Sequence, residues 1–159
     1  MYLVGVISEN KEIINFLQNK EFEQKIDFID LDTKTIENFK NIKFEILLIS
    51  NLEKYKKTNN FEKVISNSSI SLINADIKDN LKVLDNIKGR VITYGFNPKS
   101  TITASSVNEG YISIYIQRII EDVNNKIIEP IEYVSNIGEL ENVEISDVLG
   151  VRVLEKLLN

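Results

Sequence analysis

The stretch that decides the fold is Ser69-Ile70-Ser71-Leu72-Ile73-Asn74-Ala75-Asp76, an apolar run that ends in an amide and a carboxylate. A short run that is rich in apolar residues and bounded by polar ones is typical of a buried strand. In open α/β sheets ligands bind beyond the carboxyl ends of the strands, where Asn74 and Asp76 would lie. The alternative is structural, because the same two side chains can shape a turn and cap the next helix.

Four more runs of this kind surround the first and predict a sheet. They are Tyr2–Ile7, Ile26–Leu31, Phe44–Ser50 and Arg90–Tyr94. Amphipathic stretches lie between them, and the clearest are Glu9–Phe22 and Asp79–Lys88, with Asp79 as a candidate cap and Gly89 as a candidate stop. Strands that alternate with helices in this way predict a parallel sheet covered by helices on both faces.

The pattern changes after Tyr94. Three strand-like segments follow, and turn residues separate them at Asn108-Glu109-Gly110 and Asn124-Asn125-Lys126. The segments are Thr101–Val107, Tyr111–Ile119 and Ile127–Val134, the last with Pro130 at an edge or bulge. Ile145–Leu158 is a predicted terminal helix, in which Gly150 either weakens the prediction or marks close packing. We therefore expect one α/β domain over residues 1–159: a mostly parallel Rossmann-like or P-loop-like sheet flanked by helices, with C-terminal antiparallel hairpin strands and a terminal helix.

A second candidate site follows the strand at Arg90–Tyr94. Gly95 permits an unusual backbone angle and Pro98 restricts another, so the segment up to Ser100 predicts a structured turn. Its polar side chains can line a pocket, and the alternative is a crossover that only connects the parallel strands to the hairpins. Together with the first stretch, the predicted ligand-binding residues are Asn74, Asp76, Tyr94, Asn97, Lys99 and Thr101.

The composition excludes several kinds of chemistry. The chain has no cysteine and no histidine, which removes thiolate nucleophiles, zinc–thiolate sites and the commonest general base. The net charge is −5 and no basic stripe is present, so we expect no nucleic-acid partner. No apolar run approaches the ~20 residues of a membrane span, and Met1–Asn10 lacks a signal-peptide pattern. We expect a cytoplasmic protein with no cofactor and no metal site.

The segments Leu72–Asp76, Val91–Asn97 and Ser100–Val107, in this order and spacing, resemble the central ATP-binding domain of the Mur ligase family. In that family a strand that ends in Asn-Ala-Asp-Asp precedes a helix and then a strand similar to Val-Ile-Thr-Tyr-Gly. By order and hydrophobic pattern the resemblance extends over nearly the whole chain. Phe44–Leu52 is similar to the family's strand that ends in Thr-Asn-Ile, and Val143–Leu158 to the helix that closes the domain.

The departures from the family concern its phosphate and magnesium sites. A P-loop uses glycines to wrap phosphates, a lysine for their charge, and Ser or Thr for magnesium. The matching stretch, Ile7-Ser8-Glu9-Asn10-Lys11-Glu12, keeps only the lysine, and Glu9 and Glu12 would repel a triphosphate. The Asp-His that follows Thr-Asn-Ile in the family corresponds to Tyr55-Lys56 here. The resemblance therefore implies a degenerate phosphate loop at Ser8, Glu9, Asn10, Lys11 and Glu12, and no metal site.

Three functions are compatible with these observations. The first is a non-catalytic relative of the Mur ligase central domain that binds a small ligand or a partner protein, for which the resemblance implies a role in cell-wall or related polymer synthesis. The second is a small enzyme that keeps a nucleotide or sugar-nucleotide site and uses Asp30, Asp32 and Asp76 as acid and base. The third is a structural homo-oligomer, because Tyr111–Ile116 alternates polar and strongly apolar side chains.

Overall fold

The fold of residues 1–159 was obtained as a computed structural model and contains ten strands and four α-helices. The strands are β1 (Tyr2–Ile7), β2 (Ile26–Asp30), β3 (Phe44–Ile49), β4 (Ser68–Asn74), β5 (Arg90–Gly95), β6 (Ile102–Asn108), β7 (Tyr111–Ile116), β8 (Ile120–Glu121), β9 (Ile127–Ile128) and β10 (Ile131–Asn136). The helices are α1 (Lys11–Asn19), α2 (Phe61–Ser66), α3 (Lys78–Leu81) and α4 (Ile145–Leu158).

Eight strands form one sheet in the order β10-β7-β6-β5-β4-β3-β1-β2, and β8 pairs with β9 separately. The pairs from β2 to β6 are parallel, whereas β6, β7 and β10 are antiparallel. The predicted α/β class is thus confirmed. The order 2-1-3-4-5 of the first five strands is that of a flavodoxin-like doubly wound sheet, in which the winding reverses between β1 and β3.

Helices cover the two faces of the sheet unequally. On one face α1 and α4 pack against the larger of two apolar clusters, which reaches from Val4 on β1 to Ile116 on β7. The smaller cluster lies on the opposite face, under α2 and several short 3-10 turns, and extends only as far as β4. The outer face of β6, β7 and β10 therefore has no covering element.

Helix α4 is the best-buried helix and lies directly over Tyr94. Ten of its residues are buried, among them Gly150. A Cβ atom at Gly150 would lie 2.7 Å from both Cζ and the hydroxyl oxygen of Tyr94. Gly150 thus marks close packing, since only glycine lets the helix backbone approach the tyrosine ring this closely.

The parallel pair β5–β6 is joined by only six residues, 96–101, although parallel neighbours normally need a crossover of a dozen or more. The register explains this short connection. Only Tyr94 and Gly95 pair with β6, opposite Ile102 and Thr103, so β6 continues beyond the carboxyl end of β5. The hairpin strands consequently extend past the edge of the sheet at which the parallel strands end.

Several predicted boundaries were wrong. Helix α1 is shorter than Glu9–Phe22 because Asn10 is its cap. The predicted helix Asp79–Lys88 reduces to one turn, α3, and a 3-10 turn at Leu84–Asn86, and Ile77 rather than Asp79 occupies the cap position. The strand from Tyr111 ends at Ile116, and Ile127–Val134 is divided into β9 and β10 by Pro130, which has no N–H to donate. The turn at Asn124–Lys126 does join two strands, β8 and β9, with Asn125 at φ 61°.

No helix of this fold combines the length and the apolar character that a membrane crossing requires.

Candidate functional site

A cleft of about 430 Å³ opens at the carboxyl edge of the sheet, over β1, β3 and β4. This is where the winding reverses between β1 and β3, the place where doubly wound folds bind ligands. The cleft is polar, since Ile77 is its only apolar lining residue. The lining residues are Ser8, Glu9, Asn10, Lys11, Ser50, Asn51, Asn74, Ile77, Glu144, Ser146 and Asp147.

Asn80 holds two of the loops that form the cleft. Its side chain is fully buried; Oδ1 accepts the N–H of Leu52 at 2.9 Å, and Nδ2 donates to the carbonyls of Ser50 at 2.8 Å and Asn74 at 2.9 Å. These bonds fix the carboxyl ends of β3 and β4 relative to each other. The helical periodicity of the sequence instead predicts an apolar stripe that includes Leu81, which is 36% exposed. No signal in the sequence distinguishes Asn80 from a solvated polar residue.

The loop between β1 and α1 contains only residues 8–10 and is closed by its own hydrogen bonds. The N–H of Asn10 donates to Ser8 Oγ at 3.1 Å, and Asn10 Oδ1 accepts the N–H of Glu12 at 2.9 Å. Lys11 Nζ lies 2.5 Å from Asp30 Oδ2, an ion pair with the end of β2. A P-loop motif covers about eight residues, whose amides wrap the phosphates. A loop of three residues, in which the Asn10 amide already bonds Ser8, is too short for such a cradle.

The opposite wall of the cleft is the start of α4. Ser50 donates its hydroxyl hydrogen to Asp147 Oδ1 at 2.5 Å, which joins α4 to the end of β3. Burial raises the pKa of Asp147 above its usual 3.8; the Ser50 hydrogen bond opposes this shift and the Glu144 carboxylate adds to it. The cleft thus contains a carboxyl group that takes up a proton more readily than an ordinary aspartate.

Asp76 does not face this cleft but closes a neighbouring turn. Its Oδ2 accepts the N–H of Phe96 at 2.7 Å, and its Oδ1 accepts the N–H of Asn97 at 2.9 Å. Gly95 has φ 152°, and a Cβ there would meet the Asp76 carboxylate at 2.7 Å. We call this arrangement of Asp76, Gly95, Phe96 and Asn97 the Asp76 clasp. Its amides bind the chain's own carboxylate, which leaves no place for a ligand.

The other predicted ligand-binding residues lie apart from the cleft. Tyr94 is fully buried under α4; its hydroxyl has no hydrogen-bond partner, and burial raises its pKa. The N–H of Thr101 donates to Thr93 Oγ1 at 2.9 Å, and the carbonyl of Lys99 accepts from Arg118 at 3.4 Å. Of the six residues only Asn74 lines the cleft, whereas four of the five residues of the predicted phosphate loop do so, all except Glu12.

The three aspartates of the acid–base hypothesis are not brought together. Asp30 pairs with Lys11, and Asp32 accepts the N–H groups of Lys34 at 2.8 Å and Thr35 at 2.9 Å. Burial alone would raise the pKa of Asp32, but these hydrogen bonds, the Thr35 hydroxyl and the charge of Lys11 together lower it. None of Asp30, Asp32 and Asp76 lines the cleft. The fold also contains no group of three or more histidine, cysteine, aspartate or glutamate side chains that are close enough together to hold a metal ion.

The sequence matches no protein-family model and no curated protein.

Proposed function

We propose that this chain is a non-catalytic relative of the Mur ligase central domain and binds a small polar ligand in the cleft over β1, β3 and β4. The observation that carries the proposal is a polar cleft at the switch point of the sheet, next to a phosphate-loop position reduced to residues 8–10. A cleft of about 430 Å³ is within the size range of small-molecule sites. The architecture supports binding, and the short loop argues against phosphoryl transfer.

The charges of the cleft disfavour a nucleotide triphosphate. Glu9, Glu144 and Asp147 line it, and the only lining cation, Lys11, is paired with Asp30. A phosphate oxygen about 5 Å from one carboxylate is disfavoured by roughly 3 kcal/mol at an effective dielectric constant of about 20. Glu9 is itself paired with Lys54 at 3.7 Å. Glu144 and Asp147 are therefore the carboxylates that oppose the binding of MgATP, and the paired Lys11 does not offset them.

The test is a combined assay of MgATP hydrolysis and MgATP binding by titration calorimetry. We expect neither turnover nor a saturable heat. The variant Lys11→Ala controls for a contaminating hydrolase, because turnover that persists in it does not come from this site. Turnover by the wild type that Lys11→Ala abolishes would overturn the proposal.

Self-association is a second candidate, favoured by the free strand β10. This strand is at the edge of the sheet, and Ile131 and Val134 on it are 48% and 64% exposed. An edge strand with β-branched side chains and no lysine can pair with another chain. Light scattering at high protein concentration tests this: a dimer that Val134→Lys dissociates supports self-association, and a wild-type monomer excludes it.

A further inference from the structure

Three deeply buried side chains reach the cleft with hydrogen-bonding capacity that the rest of the protein does not use. They are Asn74, Ser8 and Asp147, which are 2%, 5% and 9% exposed. All three line the cleft. The free positions of these side chains open into the cleft, so a ligand or solvent there can form the hydrogen bonds that the chain does not.

The orientation of the Asn74 amide is determined by its neighbours. Its Oδ1 accepts the N–H of Asp76 at 3.0 Å, so the other end of the amide, Nδ2, is the donor that faces the cleft. Nδ2 makes no hydrogen bond within the chain. The group therefore presents two N–H donors at the floor of the cleft, where only a ligand or solvent can accept them.

Asp147 and Ser8 add groups of the complementary kind. Asp147 Oδ1 is used by Ser50, and Oδ2 remains as an acceptor. Ser8 Oγ accepts the N–H of Asn10, and its own hydroxyl hydrogen remains as a donor. The cleft thus offers donors from β1 and β4 and an acceptor from α4 around one space.

We propose that the cleft binds a neutral polyhydroxylated molecule, a sugar or a polyol, whose hydroxyl groups accept from Asn74 and Ser8 and donate to Asp147. This inference rests on the proposed function as a binding module. A hydroxyl group is both donor and acceptor, so one oxygen can satisfy Asn74 and Asp147 together. An ammonium group offers no acceptor and leaves Asn74 unsatisfied. A phosphate or carboxylate brings a further negative charge and is repelled by Asp147 and Glu144.

The experiment is a titration of the ¹⁵N-labelled protein followed by NMR, with the Asn74 side-chain amide and the backbone amides of Ser8 and Ser146 as reporters. The neutral probes are glucose and myo-inositol as cyclic compounds and sorbitol as an acyclic one. Spermidine is the cationic probe, and inorganic phosphate and glucose 1-phosphate are the anionic probes. We expect saturable shifts at the reporters with a dissociation constant in the millimolar range or below for at least one neutral probe. The cyclic and acyclic arms distinguish a sugar from a linear polyol.

Two isosteric variants test the assigned atoms. Asn74→Asp keeps an oxygen that accepts the N–H of Asp76 but replaces the donor Nδ2 with a second oxygen. Asp147→Asn keeps the oxygen that accepts from Ser50 but replaces Oδ2 with an NH₂ donor. We expect each to weaken binding at least tenfold. The matched controls are Asn108→Asp on β6 and Asp27→Asn on β2, which are exposed, lie outside the cleft and should leave binding unchanged.

The result that overturns the inference is a lack of saturable shifts with all three neutral probes, or tighter binding of spermidine or an anion at the same reporters. Tighter binding of a charged probe contradicts the ligand class but leaves the binding function intact. Hydrolysis of MgATP contradicts the proposed function and is measured separately, so the two failures are distinguishable. Equal binding by Asn74→Asp and Asn108→Asp would show that Asn74 does not contact the ligand.

Discussion

The cleft and the Asp76 clasp lie side by side at the same edge of the sheet, yet they use polar residues in opposite ways. The end of β4 supplies Asn74 to the cleft and Asp76 to the clasp, and the end of β5 supplies the backbone amides of the clasp. In the clasp both carboxylate oxygens of Asp76 accept backbone N–H groups. In the cleft Asn74 and Asp147 each keep one polar atom without a partner in the chain.

This difference separates structural polar residues from candidate binding residues better than position alone. Both regions follow strand ends where ligands of α/β proteins bind. Of the two regions, only the cleft keeps polar atoms without a partner in the chain, and it also buries the Asp147 carboxylate, which costs stability. We infer that the clasp contributes to stability, whereas the cleft sacrifices stability for binding. Single substitutions in the two regions test this difference.

The largest expected effect is that of Asn80→Ala. The substitution removes three buried hydrogen bonds and leaves the N–H of Leu52 and the carbonyls of Ser50 and Asn74 without this partner. We expect a loss of about 3–5 kcal/mol in the free energy of unfolding, from roughly 1–3 kcal/mol for each buried group left unsatisfied. Urea denaturation measures it. Asn86→Ala, at an unburied position in the next turn, is the control, and a similar small loss for both would show that Asn80 does not hold the cleft loops.

The next effect tests the clasp through Gly95→Ala. At φ 152° a side chain is strained, and the new Cβ would also contact the Asp76 carboxylate. We expect a loss of about 1–3 kcal/mol in the free energy of unfolding. Gly110→Ala is the matched control, because that glycine also has positive φ, at 78°, but an added Cβ meets nothing within 4 Å. If Gly110→Ala destabilises as much as Gly95→Ala, backbone strain alone explains the loss and the close fit of the clasp does not contribute.

A smaller effect is expected from two buried tyrosines, one whose hydroxyl is hydrogen-bonded within the chain and one whose hydroxyl is not. The Tyr55 hydroxyl donates to the carbonyl of Leu31, whereas the Tyr94 hydroxyl has no partner. Tyr55→Phe should therefore lower the free energy of unfolding by about 1 kcal/mol, and Tyr94→Phe should leave it unchanged or raise it. Thermal denaturation of both variants measures the difference. Equal losses would mean that the Tyr94 hydroxyl is satisfied in solution.

The smallest effect concerns the pH dependence of Asp147. Because its native pKa is raised, the native state binds the proton more tightly than the unfolded state does. The wild type should therefore lose stability relative to Asp147→Asn as the pH rises from 3.8 to the raised native pKa, and the difference should stay constant above that value. Urea midpoints between pH 3 and pH 8 measure it.

The sheet was predictable from the sequence because buried strands give compact apolar runs. The predicted bounds of β1 to β5 agree with the structure to within one residue at each end, and Ile145–Leu158 agrees fully. The hairpin strands were less predictable, because β9 and β10 form one run that only Pro130 interrupts. In the segment of α3 the helical period predicts a stripe of which Val83, Leu84 and Ile87 do pack against the smaller cluster. Leu81 was wrongly predicted to be buried, and the side chain of Asn80 turns inward there to bond the loops.

The candidate site was predictable only in part. Asn74 and the Ser8–Lys11 segment follow strand ends and can be found from the sheet alone. Glu144, Ser146 and Asp147 reach the cleft only because α4 packs across β4, β5 and β6, a contact between residues far apart in the chain. The hydrogen bonds from the Phe96 and Asn97 amides to Asp76 likewise form only in the folded chain. The sequence alone therefore does not distinguish the structural Asp76 from Asn74.

The most direct test of the contrast is the urea denaturation at pH 7 of two identical substitutions, Asp76→Asn and Asp147→Asn. In the clasp the change replaces an acceptor oxygen with a donor opposite a backbone N–H, so Asp76→Asn should be less stable than the wild type. In the cleft it removes a buried charge and keeps the acceptor for Ser50, so Asp147→Asn should be more stable. Opposite signs are the predicted result. A loss of stability in Asp147→Asn equal to that in Asp76→Asn would contradict the account.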